Sequence, residues 1–234
     1  METSLPPCWI DPPDGPPQRI IVEGLIGAGK TSLSKALSVL TGYHLMEEPV
    51  EDNELLPLFY EDPERWGFAM QVKMLTSRLA MEKAATYMVQ AGLVQGAIAD
   101  RSLGGDTVFL EVNSIIGNIC PQERDLYLNL YEQMKITCPY PDVVLYLRVS
   151  PDVIRERIRD RGREFELPLT EMENNYLELL EEAYSRFCSA MTRHTTVVML
   201  DWDEFLPVED VWWQVLEQWD QENQNRHQKR LMRW

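Results

Sequence analysis

Apolar residues fall along this chain in two alternating patterns, short unbroken runs and stripes at helical spacing. The runs fall within 19–23, 44–48, 96–100, 143–147 and 196–200. Such short apolar stretches, several of them dense in Val and Ile, fit strands buried inside a sheet. Pro49 closes the second run, as proline does at the end of a strand. Between the runs the spacing changes to that of helices. Leu33, Leu37 and Leu40 share one face of a helix over 32–40, with Gly42 as its expected stop. Phe68, Val72, Leu75 and Leu79 mark the core face of a long helix over 63–90. Leu126, Leu130 and Met134 predict another over 121–134. Ser150-Pro151 supplies an N-cap and a first-turn proline. The capping box Thr170-Glu171-Met172-Glu173 opens a helix with Tyr176, Leu180, Ala183 and Phe187 as its core face. Val208, Val211, Trp212, Val215, Leu216 and Trp219 form the stripe of a last helix over 208–219. Strand and helix alternate five times, which predicts an α/β fold: a five-stranded parallel sheet with helices on both faces.

One stripe does not settle itself. Gln71, Met74 and Arg78 stand at i, i+3 and i+7 beside the core face of the long helix. They either line a cleft or face solvent, and periodicity does not separate the two.

Residues 1–18 hold six of the fifteen prolines and read as an extended leader. Residues 220–234 read as a polar tail that ends basic. The part between, 19–219, is one domain, as suits a chain of 234 residues with 44% apolar content. The formal net charge of −16 argues against a nucleic-acid or anionic-membrane surface. It leaves room for a small substrate drawn into a locally basic site. Cys8, Cys120, Cys138 and Cys188 are scattered, without a C-x-x-C pair, which suits free thiols in a reducing compartment. No signal peptide or bilayer-length apolar run is present. The expectation is a soluble, cytoplasmic protein with small-molecule partners.

The chemistry begins between the first strand and the first helix. Gly24-x-x-x-x-Gly29-Lys30-Thr31 is a phosphate-binding loop pattern. Glycines allow the backbone to curl until several N–H groups converge on one anion, and the following helix points its positive end there. Gly24, Gly27, Ala28 and Gly29, with Lys30, Thr31 and Ser32, are the expected triphosphate contacts. Thr31 is also a candidate Mg²⁺ ligand. Glu47-Glu48 and Asp100-Arg101 end the second and third strands, at the ligand-binding edge of such a sheet. Arg155, Arg157, Arg159, Arg161 and Arg163 fall within nine residues of an acidic chain. Asp152, Glu156 and Asp160 interleave with them, as on a solvated face. Gly162 breaks the helix there, however, and a phosphate-gripping lid explains the run better.

Taken together, Gly24 to Thr31, Glu48-Pro49-Val50, Tyr60 to Trp66 with Gln71, Asp100-Arg101-Ser102 and Arg161-Gly162-Arg163 resemble the deoxyribonucleoside kinases, in order and spacing, over 19 to about 191. The stretches Glu48 to Asn53 and Leu58-Phe59-Tyr60 are similar to the bacterial purine-type members. Met70 departs from the aromatic usual before the glutamine, and Gly104-Gly105 is an unusual approach to Asp106.

The resemblance implies a P-loop kinase fold with an arginine-rich lid and a homodimer. It implies phosphorylation of a deoxynucleoside 5′-hydroxyl by ATP or another nucleoside triphosphate, with Mg²⁺. Lys30 would serve the donor phosphates, with Arg157, Arg161 and Arg163 as the lid. Glu48 would be the general base, Arg101 would hold phosphate and orient Glu48, and Asp100 would help place the metal with Thr31. Tyr60 and Glu166 would bind the 3′-hydroxyl, and Gln71 the base edge, with Met74 beside it. Arg78 and Asp106 match a pair that contacts the base in members preferring amino-bearing bases, so a purine deoxynucleoside or deoxycytidine is expected over thymidine. A thymidylate kinase-like enzyme shares the loop, the Asp-Arg pair and the lid, but does not need Glu48-Pro49-Val50 followed by the Tyr60 to Gln71 stretch. An inactive protein of the same fold would be expected to lose Lys30, Glu48 or Arg101, and all three are present.

Overall fold

A computed structural model describes residues 15–47, 53–163, 166 and 175–231. Its strands are β1 (Arg19–Gly24), β2 (His44–Met46), β3 (Ala97–Asp100), β4 (Val143–Arg148) and β5 (Thr196–Asp201). Its helices are α1 (Lys30–Thr41), α2 (Leu55–Glu61), α3 (Pro63–Gln90), α4 (Asp106–Ile115), α5 (Pro121–Lys135), α6 (Pro151–Arg161), α7 (Tyr176–Met191) and α8 (Val208–Leu231). The strands pair in parallel in the order β2-β3-β1-β4-β5. Val22 of β1 sits level with Asp100 of β3 and Leu145 of β4. That register brings the loop after β1, the end of β2 and the Asp100-Arg101 turn to one edge of the sheet, where parallel sheets bind ligands.

The central strands are buried because both faces are covered. Val143 to Leu147 are all buried, as an unbroken apolar strand requires. α1 and α8 pack together on one face, while α3 and α7 lie on the other with α4 between them. A second, smaller cluster joins α3, α4 and α5 around Leu75, Leu103, Leu110, Ile119 and Tyr127.

Several sequence expectations shift. Leu40 is 40% exposed, so the buried stripe of α1 is Leu33 and Leu37. In α5, Tyr127 is the buried anchor and Leu126 is exposed; one helical residue is a turn of about 100°. β2 ends at Met46 rather than 48. α2 and α4 were not legible: α2 buries no residue, and α4 buries Asp106 and Asn113 among its apolar positions. α7 starts at Tyr176 after Asn175, and the capping box at Thr170 lies outside the described residues. α8 continues to Leu231, so much of the expected tail is helical. The end of the expected leader packs: Pro17 is buried, and the Gly15 carbonyl accepts a hydrogen bond from Trp219 Nε1 at 2.9 Å.

Candidate active site

The turn from β1 to α1 has the backbone that its glycines allow. Gly24 (φ 155°) and Gly29 (φ 92°) lie in the positive-φ region. A β-carbon at Gly24 would also stand 3.0 Å from the Leu147 carbonyl oxygen. α1 then starts at Lys30 with its N-terminal N–H groups facing the loop. Lys30 is buried, and its Nζ donates to the Leu25 carbonyl at 2.7 Å. The Thr31 hydroxyl donates to Oδ2 of Asp100. The other oxygen, Oδ1, is buried without a hydrogen-bond partner among the described residues. A carboxylate oxygen left this way beside a hydroxyl fits a hard divalent cation. Among the described residues no group of three or more His, Cys, Asp or Glu side chains is assembled for a metal. One carboxylate and one hydroxyl suit Mg²⁺, which keeps water and phosphate as its remaining ligands.

Arg101 follows β3 in a left-handed conformation, φ 71°, which costs about 1–3 kcal/mol and persists only where its surroundings enforce it. Here they do. Its N–H bonds to the Val22 carbonyl at 3.0 Å. Its guanidinium donates to the Gly24 carbonyl at 3.1 Å and to the Tyr184 hydroxyl at 2.6 Å, and lies 4.8 Å over the Phe109 ring. Glu23 of β1 organises the same turn. Its Oε1 accepts from the N–H and O–H of Ser102 at 2.8 and 2.6 Å, and its Oε2 accepts from Tyr184 at 3.0 Å. Burial pushes the Tyr184 phenol well up, so it remains a donor.

A cleft of about 530 Å³ runs from the loop to the interior of the α3–α4 pair. Gly27, Lys30 and Thr31 line one end, and Gln71, Met74, Arg78 and Asp106 the other. The ambiguous stripe of α3 is therefore a cleft wall. Gln71, Met74 and Arg78 are all buried. Arg78 and Asp106 form an ion pair with side chains 4% and 1% exposed. Gln71 Nε2 lies 3.5 Å from the Asp106 backbone oxygen. Asp100, Arg101, Tyr60, Arg161, Arg163 and Glu166 line the same cleft. Glu166 is buried; it pairs with Arg161 and lies 3.4 Å from Arg163. Burial first, then the nearby Tyr176 and Glu166, hold the Tyr60 phenol well above its usual value.

Not every expected residue arrives there. Glu48 lies outside the described residues. Its neighbour Glu47 lines the cleft and pairs with Lys35 at 2.7 Å. Arg157 does not share the cleft with Arg161 and Arg163. It backs the phosphate loop instead, donating to the carbonyls of Ala28, Trp202 and Asp203 at 3.3, 2.8 and 2.9 Å, with its guanidinium 4.4 Å over the Phe205 ring. Sequence reasoning missed Glu23, Phe109, Asn113 and Tyr176, of which the last three line the cleft. The signal for α4 was present: Asp106, Phe109 and Asn113 stand at i, i+3 and i+7, a polar-aromatic stripe like that of α3.

Residues 20–223 match the family model of the deoxynucleoside kinases. The chain is 31% identical to deoxyadenosine kinase of Dictyostelium discoideum over 193 residues, 82% of this chain and 76% of the relative. It is 35% identical to deoxyguanosine kinase of Lactobacillus johnsonii over 172 residues, 71% of each. Its fold is similar to that of deoxyadenosine kinase from M. mycoides, solved with dCMP and dCDP bound, at TM-score 0.69 and 30% identity, covering 88% of this chain and 99% of that one.

Proposed function

The chain belongs to the deoxynucleoside kinase family, and on that footing we propose that it transfers the terminal phosphoryl group of ATP, or of another nucleoside triphosphate, to the 5′-hydroxyl of a purine deoxynucleoside or deoxycytidine. The observation that carries this reading is one continuous cleft from Lys30 and Thr31 to the buried Arg78–Asp106 pair. A phosphate-binding end and a base-reading end in one cavity fit a substrate whose hydroxyl lies between them.

Phosphoryl transfer needs positioning and charge neutralisation more than covalent chemistry. The loop's N–H groups and Lys30 would hold the donor phosphates. Thr31 and Asp100 would hold Mg²⁺, which when bound supplies positive charge to the phosphate oxygens. Arg101, Arg161 and Arg163 can offer N–H groups to the transferred group's oxygens as charge redistributes. We assign Glu48 as the general base, supported by the family resemblance and by its neighbour Glu47 on the cleft wall. It would accept the hydroxyl proton as the new O–P bond forms. Tyr60 and Glu166, together on the cleft wall, are assigned to the 3′-hydroxyl.

Base choice follows from donors and acceptors. Asp106, paired with Arg78, is an acceptor and favours the exocyclic amino group of adenine or cytosine. Arg78 could instead meet the carbonyl of guanine. Thymine would turn a carbonyl oxygen towards Asp106. The two relatives above are named for deoxyadenosine and deoxyguanosine, which supports the purine side. We place the protein in the cytoplasm on the free thiols of Cys120, Cys138 and Cys188.

The test is ATP consumption with the four deoxynucleosides and their monophosphates. Turnover is expected on deoxyadenosine, deoxyguanosine or deoxycytidine, weak with thymidine and absent with monophosphates. Turnover on a monophosphate alone, or thymidine as the best substrate, would overturn the reading.

A further inference from the structure

Tyr127 of α5 is fully buried and is not part of the cleft wall. Its ring packs among Leu75, Leu103, Leu110 and Ile119. Its hydroxyl leaves that apolar cluster to donate to Oδ2 of Asp106 at 2.6 Å. Burial pushes the phenol well up, so it is a neutral O–H donor at ordinary pH. The other Asp106 oxygen, Oδ1, is held by Arg78 of α3. The carboxylate is thus gripped at both oxygens by groups on two different helices. Gripped once, a carboxylate can turn about its Cβ–Cγ bond. Gripped twice, its plane is set, and so is the direction of the remaining lone pairs.

We propose that Tyr127 is a positioning residue for substrate choice: it fixes the plane of Asp106, and through Asp106 the site tells an amino-bearing base from a carbonyl-bearing one. This rests on the reading above that Asp106 faces the nucleobase. The selectivity then depends on a side chain that never touches the substrate. Removing the hydroxyl leaves Oδ2 buried and short of a donor. The carboxylate is then free to turn, and the turn removes the fixed acceptor that disfavours a thymine carbonyl.

The experiment is Tyr127→Phe, which keeps the ring in its cluster, assayed with the four deoxynucleosides beside Asp106→Asn. The ratio of kcat/KM for the preferred amino-bearing nucleoside to that for thymidine is expected to fall at least about five-fold. The change should lie in the KM for nucleosides, with kcat and the KM for ATP within about two-fold. A ratio unchanged within about two-fold, or an equal loss of kcat for all four nucleosides, would overturn the proposal and leave Tyr127 a packing residue. If Tyr127→Phe does not fold, Tyr127→Met fills much of the space without an O–H and is judged by the same ratio. Asp106→Asn separates the two claims. If it leaves the ratio unchanged, the reading of Asp106 fails. If it shifts the ratio and Tyr127→Phe does not, only the role of Tyr127 fails.

Discussion

A β-carbon on Gly105 would collide with the carboxylate of Glu23. Gly105 has φ −61°, which any residue adopts, so the requirement is one of space rather than conformation. Glu23 cannot easily yield. It is fully buried, Ser102 holds Oε1 twice, and Tyr184 holds Oε2. The same hydroxyl of Tyr184 accepts from Arg101. Glu23 therefore ties the end of β1 to the turn after β3, and Gly105 before Asp106 is the room that the tie needs.

Gly105→Ala is accordingly expected to destabilise the protein by about 1–3 kcal/mol, the scale of overpacking a tight interior, and to lower kcat by disturbing Arg101. Gly104→Ala is the contrast: its β-carbon would meet the edge of the Phe187 ring at 3.2 Å, and that partly buried ring can shift. Denaturant titration of both variants checks the order. Gly105→Ala as stable as the parent would show that Glu23 moves freely.

Glu82 of α3 accepts a hydrogen bond from the Leu103 N–H at 2.6 Å. Burial, the largest influence, raises its pKa from 4.5 to about 7. The folded protein therefore retains a proton there that the unfolded chain has already released. That stabilisation is fully present below about pH 4.5 and is lost as the pH rises through about 7. Glu82→Gln keeps an acceptor for Leu103 and cannot ionise. It should be more stable than the parent at about pH 8, by no more than about 3 kcal/mol, and show little gain at about pH 5. Urea midpoints at the two pH values decide; a gain confined to the acid side would have the wrong sign.

How much of this was legible in the sequence depends on how local each feature is. The phosphate loop, the five strands and the span of α3 rest on neighbours in the chain, and the fold reproduces them with small shifts at the ends. The α3 stripe was visible as a pattern, but its fate was not, because the burial of Gln71, Met74 and Arg78 depends on groups distant in the chain, Asp106 of α4 beside Gln71 and Arg78 and Asn53 beside Met74. α4 escaped notice because its cleft side carries Asp106 and Asn113 where an amphipathic pattern expects apolar residues. Glu23 read as the last residue of a strand. Its role depends on Ser102 and Tyr184, 79 and 161 positions away, a distance that no spacing rule covers. The arginine run divided for a similar reason: Arg157 is drawn to the carbonyls of Trp202 and Asp203 after β5, while Arg161 and Arg163 face Glu166.

The junction before β1 gives a test of packing. Trp219 is buried and bonded to the Gly15 carbonyl, and Pro17 is buried beside it in sequence. Removing residues 1–17 should lower Tm by a few degrees more than removing 1–14. One lost hydrogen bond is worth about 1 kcal/mol, which is roughly 2–4 °C for a protein of this size. Equal melting temperatures would show that the Gly15 contact contributes nothing to stability.

Arg78→Met combined with Asp106→Ala removes both charges of the buried pair without leaving either alone. The kcat/KM for thymidine, relative to the best amino-bearing nucleoside, should then rise about ten-fold or more, since the opposing acceptor is gone. A ratio that stays put would mean that the base lies elsewhere in the cleft.

The choice of base for the chemistry lies between two adjacent carboxylates. Glu47 is about half exposed at the cleft wall and paired with Lys35 at 2.7 Å. Glu48, which follows it, is the residue that the family resemblance assigns to the 5′-hydroxyl. Glu48→Gln keeps the shape and the hydrogen-bonding reach of the side chain but removes its basicity. We expect kcat to fall by about 10² or more, the scale of general-base catalysis, with the KM for nucleoside changed little, because the loss falls on the step in which the proton leaves. Glu47→Gln should cost no more than a few-fold, since an exposed ion pair contributes about 0–1 kcal/mol. Steady-state kinetics of the two variants on the best deoxynucleoside settle the assignment. Near-normal turnover in Glu48→Gln beside a dead Glu47→Gln would move the general base one residue back along the chain.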